Sequence, residues 1–380
     1  MIKLAILEFS KHNEVVWSYL KLVLQEEPSV DVYVSEFVYN QLYDLHHDTR
    51  INWIIKHDLQ SVEEFVSMHR VRLMSIDRLL FTSISPRDLK IFNDLELAAK
   101  SSLLIHDVHY YFSDSEDFDE GINVVRVLKS QILQERKHIE TSLNNLGQVL
   151  VASKEVYDYS QKKGLYRING YLDVLVSHKI KQKKPKKKLR IVIPGSVSVD
   201  RKNYKPIFDA LMGLNQLSSL QKIKVSFLGM LENKQAQKDI LNFQTKLKSH
   251  TQIELFPTFV PQKNFDKIMN KAHFLILPIS EKKTAGSIHE LYGHSTISGC
   301  IADMVKFGKP ALLPAFYPLP DSVEELVTRY HDKTDLTNSL KEWIYYHSFL
   351  EKPVENFKEY KPKNKAAQFF ETLQVFQNCL

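Results

Sequence analysis

Residues 290–314 read ELYGHSTISGCIADMVKFGKPALLP, and their order of polar, apolar and turn residues decides how the chain is interpreted. Gly308, followed by Lys309-Pro310, predicts the end of a helix, and the apolar segment 311–313 after it predicts a strand. Apolar residues recur before that stop at the spacing of one helical face: Ile297, Ile301, Met304 and Val305. The segment is therefore predicted to form a polar loop, a helix, a tight turn and a strand.

The start of this helix is predicted to bind an anion. Thr296 and Ser298 are N-cap candidates, and unpaired N–H groups with the positive end of the helix dipole attract phosphate. We therefore expect a diphosphate at Ser298 and Gly299. Asp303, roughly 6 Å further along the helix, and Glu290, at the mouth of the loop, are acceptors for hydroxyl groups. An anion site with two hydroxyl acceptors beside it suits a nucleotide sugar as ligand. The alternative interpretation is that Ser298 merely caps a helix and that Glu290 and Asp303 are solvated surface acids.

A second strand, glycine loop and helix begin at Leu189. The apolar strand 189–193 leads to Gly195 and Ser196, and a helix follows after Arg201 and Lys202. This order again predicts an anion-binding turn, with two basic residues projecting from the loop. A single glycine and two basic residues are also typical of an ordinary exposed loop.

The 290–314 segment resembles the donor-binding segment of the retaining GT-B glycosyltransferases, which carry an acidic loop, a helix with a second acid, Gly-Lys-Pro and a strand. The resemblance implies an α/β protein of two doubly wound, Rossmann-like domains that face each other across a cleft. It implies that Glu290 contacts hydroxyls of the transferred sugar, and that Asp303 holds the ribose. It also implies that Arg201 and Lys202 bind the donor diphosphate, without a metal or any other cofactor.

The segment 101–112, SSLLIHDVHYYF, predicts a buried strand that ends in a polar cluster. Ligands of open α/β sheets bind at the carboxyl ends of strands, which makes His106 a candidate site residue. In the resembling family a His after a comparable strand meets the donor sugar from the opposite wall, and we assign that catalytic role to His106. A metal site shared with His109, or a hydrogen-bonded strand end, are the alternatives.

Composition bounds the class of protein. A chain of 380 residues with 43% hydrophobic and 25% charged residues is typical of a globular protein of two domains. Cys300 and Cys379 are the only cysteines, which excludes a disulfide framework and favours a reducing compartment. No apolar run approaches the ~20 residues of a membrane-spanning helix, and the first residues are typical of a strand and not of a secretory signal. We therefore expect a cytoplasmic protein.

Positive charge is concentrated in one place. The net charge is +6, and seven Lys or Arg residues lie between Lys181 and Arg190. This run is a solvated tether or a surface attracted to anionic lipid at the cytoplasmic face of the membrane. No aromatic residue interleaves it, so no nucleic-acid partner is expected.

The domain organisation follows from these segments. We expect a first, acceptor-side domain over 1–178, a basic linker over 179–188 and a nucleotide-sugar-binding domain over 189–360. The last segment, 361–380, is predicted to be a helix that packs on the first domain or on its own domain.

The expected activity is hexosyl transfer from a nucleotide-sugar donor to a saccharide or lipid-linked acceptor, as in polysaccharide biosynthesis. Retention of configuration is what the resemblance implies. A nucleotide-sugar epimerase or hydrolase of the same fold would turn over the donor without an acceptor. A non-catalytic GT-B-like subunit would bind no nucleotide.

Overall fold

The computed structural model describes most of the chain, in the ranges 3–112, 137–178, 182, 184–214, 222–232, 234–247, 251–285 and 288–374. The sequence also predicts a long helix over 122–146, and this segment lies partly outside these ranges, as do the linker residues 179–181 and 183. Within the described ranges, no helix has both the length and the apolar character needed to cross a membrane.

The first domain is built on a parallel sheet of seven strands. These are β1 (Leu4–Glu8), β2 (Val30–Ser35), β3 (Ile51–Lys56), β4 (Arg78–Ser83), β5 (Ser101–Ile105), β6 (Gln148–Val151) and β7 (Gly170–Tyr171). Their order in the sheet is β3-β2-β1-β4-β5-β6-β7, so the winding reverses between β1 and β4. The central strands are buried on both faces, as expected where helices cover a parallel sheet.

The second domain repeats this winding. Its strands are β8 (Lys188–Pro194), β9 (Lys222–Met230), β10 (Thr251–Phe256), β11 (Phe274–Ile276), β12 (Lys282–Ala285), β13 (Ile288–Leu291), β14 (Ala311–Pro314) and β15 (Val327–Tyr330). Six of them form a parallel sheet in the order β10-β9-β8-β11-β14-β15, and β12 with β13 forms a separate antiparallel hairpin. The prediction of two doubly wound α/β domains is confirmed.

Helices cover both faces of each sheet. In the first domain they are α1 (Asn13–Glu26), α2 (Glu36–Gln41), α3 (Val62–Met68), α4 (Arg70–Met74), α5 (Leu95–Ala99), α6 (Val108–Phe112), α7 (described over 137–145) and α8 (Lys154–Lys162). In the second half of the chain they are α9 (Lys205–Leu214), α10 (Lys234–Lys246), α11 (Gln262–Lys271), α12 (Gly299–Phe307), α13 (Asp321–Glu324), α14 (Lys333–Tyr345) and α15 (Pro362–Gln374). Each domain accordingly has two apolar clusters, one on either side of its sheet.

The segment 290–314 forms the predicted helix and strand, with a shifted start. The helix α12 begins at Gly299 with Ser298 at the N-cap, two residues later than the predicted Ile297. Ile297 instead precedes the helix and packs against both apolar clusters of the first domain. Gly308 ends the helix with φ 58°, a left-handed conformation that favours glycine, and β14 follows.

The last helix, α15, returns to the first domain. Phe369, Phe370 and Leu373 belong to an apolar cluster of that domain, and the Phe369 ring lies 5.2 Å from the ring of Tyr19 on α1. The Gln148 side-chain amide donates to the Thr372 carbonyl at 2.8 Å. The chain therefore links its two domains twice, once through the segment before β8 and once through α15.

Candidate active site

The first turn of the candidate site follows β8 in the second domain, where its winding reverses. Gly195 has φ 84°, which glycine adopts without strain. The buried Lys202 ammonium donates to the carbonyl oxygens of Pro194 at 2.5 Å and of Gly195 at 2.9 Å, and burial lowers the pKa of Lys202. A Cβ on Gly229 of β9 would lie 2.3 Å from the Gly195 oxygen, so the two backbones touch. The turn therefore contacts the buried Lys202 ammonium and, at Gly229, the backbone of β9.

The second turn is the start of α12, and it lies against the first. The Cys300 thiol donates to the Pro194 carbonyl at 3.1 Å, and a Cβ on Gly195 would lie 3.3 Å from that sulfur. The Ser298 N–H donates to the Tyr317 hydroxyl at 3.1 Å. Apart from its chain neighbours and its own helix, no described residue lies within 4 Å of where a Gly299 Cβ would be, so there is open space before the helix. The two turns predicted from separate segments therefore form one surface.

Two further predicted diphosphate ligands lie at the edge of this surface. Ser196 directly follows Gly195 and is half-buried. Arg201 is exposed, and its guanidinium lies 3.9 Å from the Glu232 carboxylate. An exposed ion pair of that length contributes little free energy, so the Arg201 side chain is free to move toward a ligand.

Asp303 lies on α12, four residues after Gly299, and is half-buried. Burial, with smaller contributions from the negative charges of Glu14 and Asp266, raises the pKa of Asp303 to about 7 against the opposing charge of Lys306. Among the described residues, no donor hydrogen-bonds its carboxylate. Asp303 therefore retains acceptor capacity between the two domains.

The first-domain wall carries His106 at the carboxyl end of β5. Its ring stacks on the ring of His12, with centroids 4.0 Å apart and planes 3° from parallel. The Nε2 atom lies 2.7 Å from the Thr82 carbonyl oxygen, which can only accept, so Nε2 carries the proton. Burial and the positive charge of His12 lower the pKa of His106 to about 3. The ring is therefore neutral, and Nδ1 is an acceptor.

His12 follows β1, and the sequence interpretation missed it. Its Nδ1 donates to the Glu14 carboxylate at 3.3 Å. Burial opposes a charge on the ring, but this hydrogen bond and the charge of Glu14 raise the pKa of His12 to about 9. The strand-end argument that selected His106 applies equally to His12, since the parallel strands β1 and β5 end at the same edge. The wall thus combines a neutral and a charged imidazole.

Glu290 differs from its predicted setting. It lies on strand β13 and is fully buried, so its placement at the mouth of a polar loop is wrong. Its Oε1 accepts from the Tyr110 N–H at 2.8 Å and its Oε2 from the His109 N–H at 3.3 Å. Burial, together with the charge of Asp107, raises the pKa of Glu290 to about 7. The carboxylate therefore binds the start of α6 in the first domain, which occupies the atoms expected to face a sugar hydroxyl.

The hairpin β12–β13 makes further contacts with the first domain, and we call this set of contacts the interdomain latch. The Lys283 ammonium pairs with both Asp107 oxygens at 2.7 and 2.9 Å. The Val108 N–H donates to the Ser295 carbonyl at 2.9 Å. Since Asp107 and Val108 directly follow His106, the latch fixes the start of the wall that carries His106.

His109 is also part of the latch. Its Nδ1 donates to the His289 carbonyl at 2.7 Å, and its Nε2 lies 2.9 Å from the Tyr159 hydroxyl. Both ring nitrogens are thus engaged, which leaves none for the alternative metal site with His106. Within the part of the chain that the structure describes, no three His, Cys, Asp or Glu side chains are grouped to hold a metal.

Comparison with known proteins identifies the fold. No protein-family model and no curated protein sequence matches the chain. The structure of HepE from Anabaena in complex with UDP-glucose superposes with a TM-score of 0.60 at 13% identity, over 98% of this chain and 100% of that one. The pneumococcal O-GlcNAc transferase GtfA in complex with UDP and GlcNAc gives 0.59 at 8% identity, over 99% of both chains. The chain has the GT-B fold, as its resemblance implied.

Proposed function

We propose that this protein is a glycosyltransferase that moves a hexosyl group from a nucleotide sugar to an acceptor. The observation that carries the proposal is the meeting of two amide-rich turns, at Gly195 and Gly299, where the winding of the second sheet reverses. The Lys202 ammonium lies at this junction, and open space lies before the start of α12. HepE and GtfA are GT-B proteins whose structures hold UDP or UDP-glucose, which supports the same class of donor here.

The donor diphosphate would lie against the two turns. Lys202 and the N-terminus of α12 would stabilise the negative charge that develops on the leaving group, without a metal ion. Ser196, Ser298 and Arg201 stand close enough in sequence to the turns to complete this anion site.

The rest of the donor would extend toward the first domain. Asp303 would accept hydrogen bonds from the ribose hydroxyls, as its unoccupied carboxylate permits. His106 would meet the transferred sugar from the opposite wall, with Nδ1 as the acceptor and the charged His12 stacked behind it. Glu290 would act as a positioning residue, because it holds α6 directly after His106.

The stereochemical outcome and the acceptor are finer parts of the proposal. We propose retention of configuration, with a saccharide or lipid-linked acceptor and a role in polysaccharide biosynthesis in the cytoplasm. Contact of the basic segment from Lys181 to Arg190 with an anionic membrane is compatible with a lipid-linked acceptor.

Thermal unfolding with a panel of nucleoside diphosphates tests the donor site. A ligand that binds only the folded state raises the midpoint, so one nucleotide should raise it in a concentration-dependent way. Lys202→Met should abolish this shift while the unliganded protein unfolds cooperatively, and Lys205→Met, an exposed lysine three residues on, should preserve it. No shift with any nucleotide would contradict the proposal, and donor turnover without an acceptor would assign a hydrolase or epimerase instead.

A further inference from the structure

A strongly basic face lies on the second domain, where the segment before β8 and one side of the strands β8 to β10 meet the helix α11. It surrounds two adjoining cavities of about 750 and 390 Å³ that share Lys188, Arg190 and Lys271, and we call this face the basic groove. The cationic side chains that line it are Lys184, Lys186, Lys187, Lys188, Arg190, Lys224, Lys267 and Lys271. Among the described residues that line it, Glu254 is the one carboxylate.

Most of this charge is not neutralised within the protein. Glu254 is bound to Lys224 at 2.5 Å and accepts from the Ser226 hydroxyl at 2.6 Å. The Lys188 ammonium donates to the neutral Gln252 side chain at 2.7 Å. The remaining cations of the groove form no ion pair with any residue that the structure describes. The groove therefore carries a net positive charge that an external anion would neutralise.

The local structure gathers these charges onto one face. Lys188 and Arg190 alternate along β8, so both side chains point to the same side of the sheet. Lys267 and Lys271 are four residues apart on α11 and lie on one helical face. Like charges at these spacings repel each other and destabilise the fold slightly, so folding alone gives no reason to place them together.

Two exposed tyrosines end α14, next in sequence to a cluster of rings that reaches the groove. Tyr346 is 79% exposed and Tyr345 is 40% exposed, at the end of α14. The next residue, His347, has its ring 5.8 Å from that of Phe349, which lies 6.4 Å from the groove residue His273. Tyrosine has an apolar ring with a polar tip, and it is enriched where proteins meet the headgroup region of a bilayer.

We propose that the basic groove and Tyr346 form a docking surface for a bilayer that carries anionic lipids. Seven of the eight cations in the groove are lysines, and a lysine is a point charge on a flexible stem that suits a diffuse array of phosphates. A binding surface for single-stranded nucleic acid would instead present a row of aromatic rings for base stacking. This surface is separate from the two turns and does not rest on the proposed activity.

Co-sedimentation of the full-length protein with vesicles tests the surface. Binding should appear with mixed phosphatidylcholine and phosphatidylglycerol vesicles, be absent with phosphatidylcholine alone, and weaken with salt. The variants Lys184→Gln/Lys186→Gln/Lys187→Gln and Lys267→Gln/Lys271→Gln should each lower the vesicle partition coefficient roughly tenfold or more. Tyr346→Ser should lower it by a smaller factor that salt does not change.

A matched control removes two positive charges elsewhere, as many as Lys267→Gln/Lys271→Gln removes from the groove. Lys234→Gln/Lys238→Gln changes two exposed lysines of α10 and should bind vesicles like the wild type. An equal loss of vesicle binding in this control and in Lys267→Gln/Lys271→Gln would show that only net charge matters, and would overturn the docking surface. Tighter binding of a single-stranded oligonucleotide than of anionic vesicles, abolished by the same groove variants, would reassign the groove to nucleic acid.

Discussion

Asp303 makes nucleotide binding depend on pH if it holds the ribose. Below its pKa of about 7 the side chain is protonated and loses its charge and part of its acceptor capacity, and above it the carboxylate accepts from hydroxyls with both oxygens. The affinity for the preferred nucleoside diphosphate should therefore rise as the pH increases through about 7. Asp303→Asn should bind roughly three- to tenfold more weakly at high pH, the effect of about 1 kcal/mol for one hydrogen bond, and lack this rise.

Calorimetric titrations at several pH values measure this dependence. A dideoxynucleoside diphosphate serves as the control ligand, because it keeps the diphosphate but lacks the ribose hydroxyls. A pH dependence that comes from ionisation of the phosphate appears with both ligands, whereas one that comes from the Asp303 carboxylate appears only with the nucleotide. If wild type and Asp303→Asn bind the analogue and the nucleotide with the same pH profile, Asp303 does not contact the ribose.

The ionisation of His12 makes the folding stability depend on pH, and this contribution decreases as the pH rises. Its pKa is raised from 6.5 in the unfolded chain to about 9 in the fold, chiefly through Glu14 acting against burial. The stabilisation is therefore fully present below pH 6.5 and is lost as the pH rises through about 9. Urea unfolding of the wild type should show this loss, and His12→Gln should show less of it. Equal pH dependence in both proteins would remove the charged His12–Glu14 pair from the account.

At the scale of elements, substitutions of two glycines should affect folding stability and nucleotide binding separately. A Cβ on Gly229 would lie 2.3 Å from the Gly195 oxygen, so Gly229→Ala should destabilise the fold by about 1–3 kcal/mol and displace the first turn. The methyl group of Gly299→Ala meets no described residue beyond its chain neighbours and its own helix within 4 Å, so this variant should fold like the wild type, yet the methyl group projects into the space before α12. Nucleotide-dependent thermal shifts should therefore vanish in Gly299→Ala without a drop in its unliganded midpoint.

The elements around these glycines differed in how far sequence could predict them. The helix α12 and strand β14 have local signals, a periodic apolar face and a glycine stop, and both were found. The hairpin β12–β13 was not predicted, because its partner α6 lies about 180 residues earlier in the chain and no local pattern specifies that contact. The position of His12 shortly after β1 was a usable sequence signal. No sequence pattern indicated the hydrogen bonds between Glu290 and α6.

At the scale of the whole molecule, the interdomain latch should hold the domains together. The Lys283–Asp107 pair is partly buried, so a double-mutant cycle with Lys283→Ala and Asp107→Ala should give a coupling free energy of about 1–3 kcal/mol. Each variant should also show a larger radius of gyration by X-ray scattering, because the hairpin loses a cross-domain contact. Lys282→Ala, its exposed neighbour, is the control. If the effects of the two substitutions on stability are additive and the radius of gyration is unchanged, the latch does not set the domain arrangement.

The architecture of the whole molecule was predictable because it repeats a simple alternation. Short apolar runs separated by helical patterns occur in both halves, and each half winds its strands in the same order around its first strand. The placement of α15 on the first domain was left open, because an apolar stripe shows that a helix packs but not against which partner.

One strand, β8, connects the basic groove with the first turn of the candidate site. β8 begins at Lys188 in the basic groove and ends at Pro194 beside the first turn, seven residues that span roughly 20 Å at about 3.3 Å each. In a molecule seated on lipid through that groove, the first turn would lie no more than about this strand length from the lipid contact. An acceptor anchored in the same bilayer would therefore have to extend over up to roughly 20 Å to reach the cleft.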